Sequence, residues 1–338
     1  MAGCGPRGPD LPPPGTVGRA ALLAPLSGPR SALGQIMLEA ASLGGNPTGP
    51  TAEVEVRDAG ETEESAVAAA QAAVAAGARM LLGPLFSGQS RAVAQAVGGG
   101  VPVVALTNDD AIAGGNLFVF GITPRQSARA VLGFASGRGV RRIAVVVPPG
   151  EFGARHMAAA QGVAPAFGIA LSSPVVTESA SGLADAVAAA SGGTAPDGVY
   201  LPIVGGAFEA QAEALAAAGL QILGSDQWSA IEPFRVPALR GAWFAAPDPI
   251  RFEAFALALE ERVEAEAGVV AGLAFDAVEM ARLLGRLGLQ DREGLLREAG
   301  FDGVLGPYRF LETGQCERGL AVLNVAEGAT TLIGGVGA

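Results

Sequence analysis

Residues 78–107, "ARMLLGPLFSGQSRAVAQAVGGGVPVVALT", decide how this chain is read. An apolar run, Ala78–Pro84, stops at a loop carrying Ser87, Gly88, Gln89 and Ser90. A helical spacing follows over Ser90–Val97, three glycines close it, and a second apolar run covers Val101–Thr107. Short apolar runs punctuated by glycine read as buried strands, and the segment between them as the crossover helix of a βαβ unit. Such a unit joins parallel strands.

The same rhythm extends in both directions. Upstream, "VGRAALLAPLS" is a strand. Ser31–Leu43 is a helix with Leu33, Ile36, Met37 and Ala40 on one face, "AEVEVRDAG" is an alternating strand, and Glu63–Ala76 is a helix with acids in its first turn. Downstream, "LFVFGIT" restarts the pattern, with helices expected over Pro124–Gly137, Gly153–Phe167, Leu183–Ala190 and Phe208–Ala218. The strands between them are "RRIAVVVP", "ALSSPVV", "GVYLPIV" and "LQILGSDQW". Two helical segments, Arg251–Ala267 and Leu273–Leu287, precede "GPYRFLETGQCERGLAVLNV", a hairpin turning at Glu312-Thr313-Gly314. The expected fold is α/β: two doubly wound lobes of parallel sheet with a ligand cleft between them. Their expected extents are 17–122 plus 248–288 and 123–247 plus 289–338, after a tether at 1–16. The hinge is expected near Gly121–Pro124 and Pro247–Pro249.

Composition bounds the function. The 338 residues are half hydrophobic, carry 50 glycines and a net charge of −11, and every cation other than the single histidine is arginine. An acidic chain is a poor partner for nucleic acid or an anionic membrane surface. With only His156, Cys4 and Cys316 as nitrogen and sulfur ligands, against the roughly four clustered ones a zinc site needs, neither a zinc site nor a cofactor is expected. The start, "MAGCGPRGPDLPPPG", resembles the end of a bacterial lipoprotein signal, with Cys4 lipidated and the Pro/Gly-rich residues as a tether. The apolar signal segment is missing, so the chain is expected to be a mature form placed outside the cytoplasmic membrane, on the outer membrane rather than the inner. Its membrane contact is then the lipid anchor alone.

Polar loops fall at the predicted strand ends, where open α/β sheets bind ligands: Ser27, the Ser87–Gly88–Gln89 loop, Asn108, Asp109, Asp110, Phe152, Asp226 and Trp228. Ser87 has four readings. A nucleophile elbow needs Gly-x-Ser-x-Gly, but the nearest upstream glycine, Gly83, is four residues away, and the only base is His156. Glycines 83 and 88 fit neither phosphate-loop spacing, and there is no lysine. A helix cap and a ligand-binding hydroxyl remain, and they are compatible, because a helix start attracts anions. Asp109, Asp110 and Asp226 are solvated turn acids or cleft acids that favour a cation. His156 reads as a partly exposed helix residue, and Trp228 as lining the cleft or packing between lobes.

Taken in order, "LLAPLSGPRSALGQ", "LLGPLFSG", "VPVVALTND", "FVFGITP", "EFGA", "LGSDQW" and "GPYRFLETGQ" resemble the type 1 periplasmic binding proteins of the leucine/isoleucine/valine kind. "GAWFAAPDP" and the "FDGVLGPYRF…ERGLAVLNV" ending resemble the penicillin-binding protein activator lipoproteins within that group. The resemblance implies a non-enzymatic receptor whose lobes close on a small polar, amino-acid-like or cationic ligand and which serves an ABC transporter permease. Its alternative is a regulatory protein that binds a penicillin-binding protein. The resemblance also implies that Ser87 bonds a ligand carboxylate and Asp226 pairs with an ammonium. Where relatives have a small residue and a hydroxyl, this chain has Asn108 and Asp110. A second carboxylate ~4 Å from a bound one is unfavourable by roughly 1–4 kcal/mol, which counts against an ordinary aliphatic amino acid.

Overall fold

The computed structural model describes residues 19–44, 54–263 and 267–335; Cys4 and the expected tether lie outside them. The first run of elements is β1 (Arg19–Ala24), α1 (Ser31–Leu43), β2 (Val54–Asp58), α2 (Glu63–Ala75), β3 (Ala78–Leu82), α3 (Ser87–Val97), β4 (Val103–Ala105) and β5 (Leu117–Val119). The second is α4 (Pro124–Gly137), β6 (Arg142–Val147), α5 (Glu151–Val163), β7 (Ala170–Leu171), β8 (Val175–Val176), α6 (Leu183–Ala190), β9 (Gly198–Tyr200), α7 (Phe208–Ala217), β10 (Gln221–Gly224) and β11 (Trp243–Ala246). The chain continues with α8 (Pro249–Glu260), α9 (Val269–Leu287), α10 (Arg292–Leu295), β12 (Tyr308–Phe310), β13 (Cys316–Arg318), β14 (Ala321–Val325) and β15 (Thr330–Gly335).

Two compact units result. The first holds the described residues up to Gly121 and Ile250–Arg318; the second holds Ile122–Pro249 and the described residues from Gly319. The chain therefore passes between units three times. Residues 289–318, expected in the second lobe, pack in the first, because β12 and β13 pair with each other and their aromatics join its core.

In the first unit the sheet order is β2-β1-β3-β4-β5, all parallel. One face carries Met80, Phe118 and Phe120 against Met37 of α1, α9, Tyr308 and Phe310. The other is filled by small residues: Ala66, Ala70 and Ala73 of α2 lie against Leu81 and Val103. Gly83 leaves β3 at φ +82, and a Cβ there would stand 2.6 Å from the Leu23 carbonyl oxygen, so the turn into the Ser87 loop requires glycine.

The second unit repeats the order as β7-β6-β9-β10-β11, with β8 also on β6. Antiparallel β14 and β15 extend the parallel strands beyond β11. Its core centres on Trp228, with Phe208 on one side and Phe244 on the other.

Candidate functional site

Each unit has one place where neighbouring crossovers leave in opposite directions: between β1 and β3 in the first, and between β6 and β9 in the second. Such switch points open a crevice at the strands' carboxyl ends.

In the first unit the crevice is bounded by the loops after β1 and β3. Asp58 holds the β1 loop: its Oδ1 accepts the amides of Leu26 (2.9 Å), Ser27 (3.2 Å) and Gly60 (2.9 Å). The Ser27 hydroxyl and these amides hold the Asp58 carboxyl below the usual carboxylate range. Ser27 itself is exposed. Arg30 links the loops, with its guanidinium 4.2 Å from the Phe86 ring centre and 3.6 Å from Glu61.

Helix α3 begins at Ser87, not near Ser90. Phe86 is extended and takes the N-cap position without a side-chain cap, and the Ser90 amide donates to its carbonyl at 2.9 Å. The Ser90 hydroxyl bonds backward to the same carbonyl, so it is a buried back-bond and caps nothing. Ser87 is half-buried in the first helical turn, where amides precede the first helical bond and favour an electron-rich group. Gly88 sits beside it, and a Cβ there would stand 2.7 Å from Glu63 Oε1. Gln89, expected to meet ligand, is buried instead: its amide donates to the carbonyls of Gly60 (3.2 Å) and Thr62 (3.0 Å), tying α3 to the start of α2. Asn108, Asp109 and Asp110 are half-buried after β4. Asp109 caps the single turn Asp110–Ile112 by accepting the Ala111 amide at 3.3 Å.

In the second unit the switch point is a pocket of about 450 Å³ lined by Pro148, Thr177, Glu178, Ile203, Phe208 and Gln211, among others. Gln211 braces its wall by donating to the Thr177 carbonyl at 3.3 Å. Sequence reasoning missed these residues. The usable signal was the repeat itself, since the loop after β9 is the counterpart of the Ser87 loop after β3. Phe152 is half-buried on the first turn of α5, edge-on to His156 at 4.9 Å.

Two more expected ligand contacts are turned inward. Trp228 is fully buried, donates from Nε1 to the Leu201 carbonyl at 3.1 Å and stacks on Phe244. Gly224 makes this possible: a Cβ there would stand 2.3 Å from the indole. Asp226 is 9% exposed, and the Ser127 hydroxyl of α4 donates to its Oδ1. Burial pushes the Asp226 carboxyl up to about 6, with the Ser127 bond pulling the other way. Beside it the buried Tyr200 hydroxyl has no hydrogen-bond partner. His156, expected to be partly exposed, is 1% exposed with both ring nitrogens unbonded, and burial together with Arg155 pushes it down to about 4. Burial likewise lifts the Cys316 thiol to about 11, which makes it inert. Among the described residues no group of three or more His, Cys, Asp or Glu side chains could hold a metal ion, and no helix is long and apolar enough to cross a membrane.

The chain is thus a two-unit α/β protein with one switch point in each parallel sheet. The periplasmic binding protein family model matches residues 19–330, and the chain belongs to that family. Among solved structures it is similar to a putative branched-chain amino acid ABC transporter protein from Rhodospirillum rubrum (23% identity, 94% of this chain and 99% of that one, TM-score 0.76). It is also similar to the C-domain of LpoA from Haemophilus influenzae, a regulator of PBP1A (18%, 93% and 99%, TM-score 0.72), and to the leucine-binding protein LivK from Thermotoga maritima (19%, 95% and 99%, TM-score 0.60). At these identities the likeness is one of fold. No curated protein matches the chain.

Proposed function

We propose that this chain is an extracytoplasmic, lipid-anchored receptor that closes on a small polar ligand and hands it to an ABC transporter permease. The observation that carries the reading is the repeated strand order, which gives each unit its own switch-point crevice. On the first unit the ligand is met by Ser27, Ser87 and the amides that open α3. On the second it is met by the pocket with Thr177 and Glu178. Asp109, Asp110, Glu63 and Glu178 at these edges favour a cationic or neutral ligand over a plain carboxylate. Asp226 then acts through Ser127, as a buried support. Thermal-shift screening with amino acids, polyamines and peptidoglycan fragments tests this, since a ligand of the folded state raises the melting temperature. A responding ligand should bind more weakly to Ser87→Ala. No shift with any of the three classes would overturn the receptor reading.

A second reading, a regulator that binds a peptidoglycan synthase through its surface, is favoured by the internal bonding of Asp226, Trp228 and Gln89. A binding protein that has lost its ligand can turn such residues inward. Co-purification of a penicillin-binding protein with a chain that shifts with no ligand would support it.

A further inference from the structure

The two main sheets have four edges, and three are closed, each by a different device. Strand β2 carries Glu55, Arg57 and Asp58 among its five residues. Strand β5 is covered, because the Val119 amide donates outward to the Gly314 carbonyl at 2.8 Å. Strands β7 and β8 are two residues each, too short to extend a ladder. Charge, cover and shortness are how proteins keep sheet edges from pairing. Strand β15 has none of the three. Its six residues carry no charge and no proline, and among the described residues nothing bonds to its outer side. Its one bulge, at Ile333, falls after Thr330–Leu332.

The hydrogen-bond phase of β15 says what fits there. The Ala326 amide donates to the Ala329 carbonyl at 2.9 Å, so by antiparallel alternation Asn324 and Thr331 are a bonded pair. Val325–Thr330 and Leu323–Leu332 are then unbonded pairs. Val325 agrees, since its amide goes to Ala242 and its carbonyl to Gly241, on the β11 side. The N–H and C=O groups of Thr330 and Leu332 therefore point away from β14, and such a row is matched by another extended strand. The strand fits itself. With Thr331 set opposite Thr331 of an antiparallel second copy, Thr330 of each copy meets Leu332 of the other, and both pairs exchange N–H···O bonds. The two Thr331 side chains face each other at the close, unbonded spacing, where threonine pairs are favourable. Leu332, 43% exposed beside Leu323 of the core, gains the Thr330 methyl of the second copy on its open side. Charge does not oppose the pairing. Glu327 is four residues from Thr331 in each copy, so the two Glu327 stand eight strand steps apart, roughly 27 Å and beyond the ~10 Å Debye length at 0.1 M salt. With the other three edges closed, the β15 edge of a second copy is the one edge of the two main sheets, among the described residues, that can receive β15.

We propose that β15 is a dimer edge: two copies of this chain join their eight-stranded sheets into one through antiparallel β15 strands, about a two-fold axis at Thr331. Such a contact is isologous and closed, so it yields dimers and no filaments. One strand pair is a small contact, below ~1,200 Å², so the association is reversible.

Sedimentation equilibrium of the full chain between about 1 and 500 μM tests this. The expected mass rises from 33.6 kDa toward twice that value. Thr331→Lys and Thr331→Glu should each weaken association at least tenfold, because each sets like charges opposite one another. An equimolar mixture of the two should recover the dimer, since every mixed pair then sets opposite charges together, and a general loss of fold or solubility would not recover on mixing. Leu332→Pro removes an outward N–H and leaves the ladder with β14 intact, so it should also weaken association at least tenfold. Far-UV circular dichroism confirms that each variant is folded. A mass of one chain throughout overturns the proposal, and this is also the result if the edge serves the strand of a different protein. So does a mixture of the Thr331 variants that associates no better than either alone, or a dimer indifferent to all three substitutions.

Discussion

Replacing Arg318 with methionine should destabilise the first unit selectively and in a pH-dependent way. Arg318 is the last residue before the chain's third passage between units, and its side chain is wholly buried, as is that of Asp276. Nη1 lies 3.6 Å from Asp276 Oδ2, Nη2 donates to the Phe120 carbonyl at 3.2 Å, and the guanidinium lies 4.6 and 4.9 Å from the ring centres of Phe120 and Tyr308. Asp276 also accepts the amides of Val304 (2.8 Å) and Leu305 (3.3 Å). Methionine matches the length but leaves the buried carboxylate without its cation, a change that costs about 3–5 kcal/mol. In urea, with a slope near ~2 kcal/mol/M, that moves the midpoint by roughly 2 M.

The pH dependence has a definite sign. Burial pushes the Asp276 carboxyl up to about 6, with Arg318 the largest opposing influence. A carboxyl raised above its unfolded value of 3.8 contributes stability below that value and loses it as pH rises through about 6. Removing Arg318 raises it further, so the deficit should be large at pH 7.5 and a fraction of that at pH 5, where the carboxyl is protonated in both proteins. The assay has a built-in control. Both tryptophans, Trp228 and Trp243, lie in the second unit, so their fluorescence reports that unit while far-UV circular dichroism reports both. Equal deficits at the two pH values, or an equal shift of the fluorescence transition, would refute the reasoning.

Three further outcomes follow from the same geometry. His156, held down to about 4 against 6.5 when unfolded, withdraws stability as pH falls below 6.5. Relative to His156→Phe, the natural chain should therefore lose roughly 2 kcal/mol between pH 7 and pH 5 in urea titrations, at up to about 1.4 kcal/mol per pH unit. Tyr200→Phe should change stability by less than about 1 kcal/mol or raise it, because the hydroxyl it removes has no partner, whereas Tyr308→Phe loses a bond to the Asp276 carbonyl and should be destabilising by about 1 kcal/mol. Gly83→Ala should destabilise by more than about 1 kcal/mol, read as a lower melting temperature, since alanine meets both a left-handed φ and the Leu23 carbonyl.

The sequence made the architecture legible because both repeats alternate short apolar runs with helical spacings. The candidate site was less legible. A polar loop at a strand end was read as facing a ligand, but Gln89 and Asp226 bond inward, which depends on partners such as Gly60 and Ser127 far away in sequence. Trp228 looked available beside Ser225 and Asp226, until the missing side chain of Gly224 lets the indole fold back over β10. His156 could have been read correctly: it shares a helical face with Gly153, Ala160 and Val163, all buried. The assignment of 289–318 failed for another reason. Its contacts with the first core span nearly two hundred residues, and no local pattern encodes them.

That interleaving also sets an order of assembly. The face of the first sheet that carries Met80, Phe118 and Phe120 receives Met37 of α1 early, but the rest of its cover, α9, Tyr308 and Phe310, emerges some 150 residues later. At ~5–20 residues per second, the nascent chain carries that face only partly covered for roughly 8–30 s, while the parallel strands β6–β11 of the second unit are already complete. The half of the protein synthesised first thus stays open until the chain has reached Arg318, and its bare aromatics are what a chaperone would have to shield in the interval.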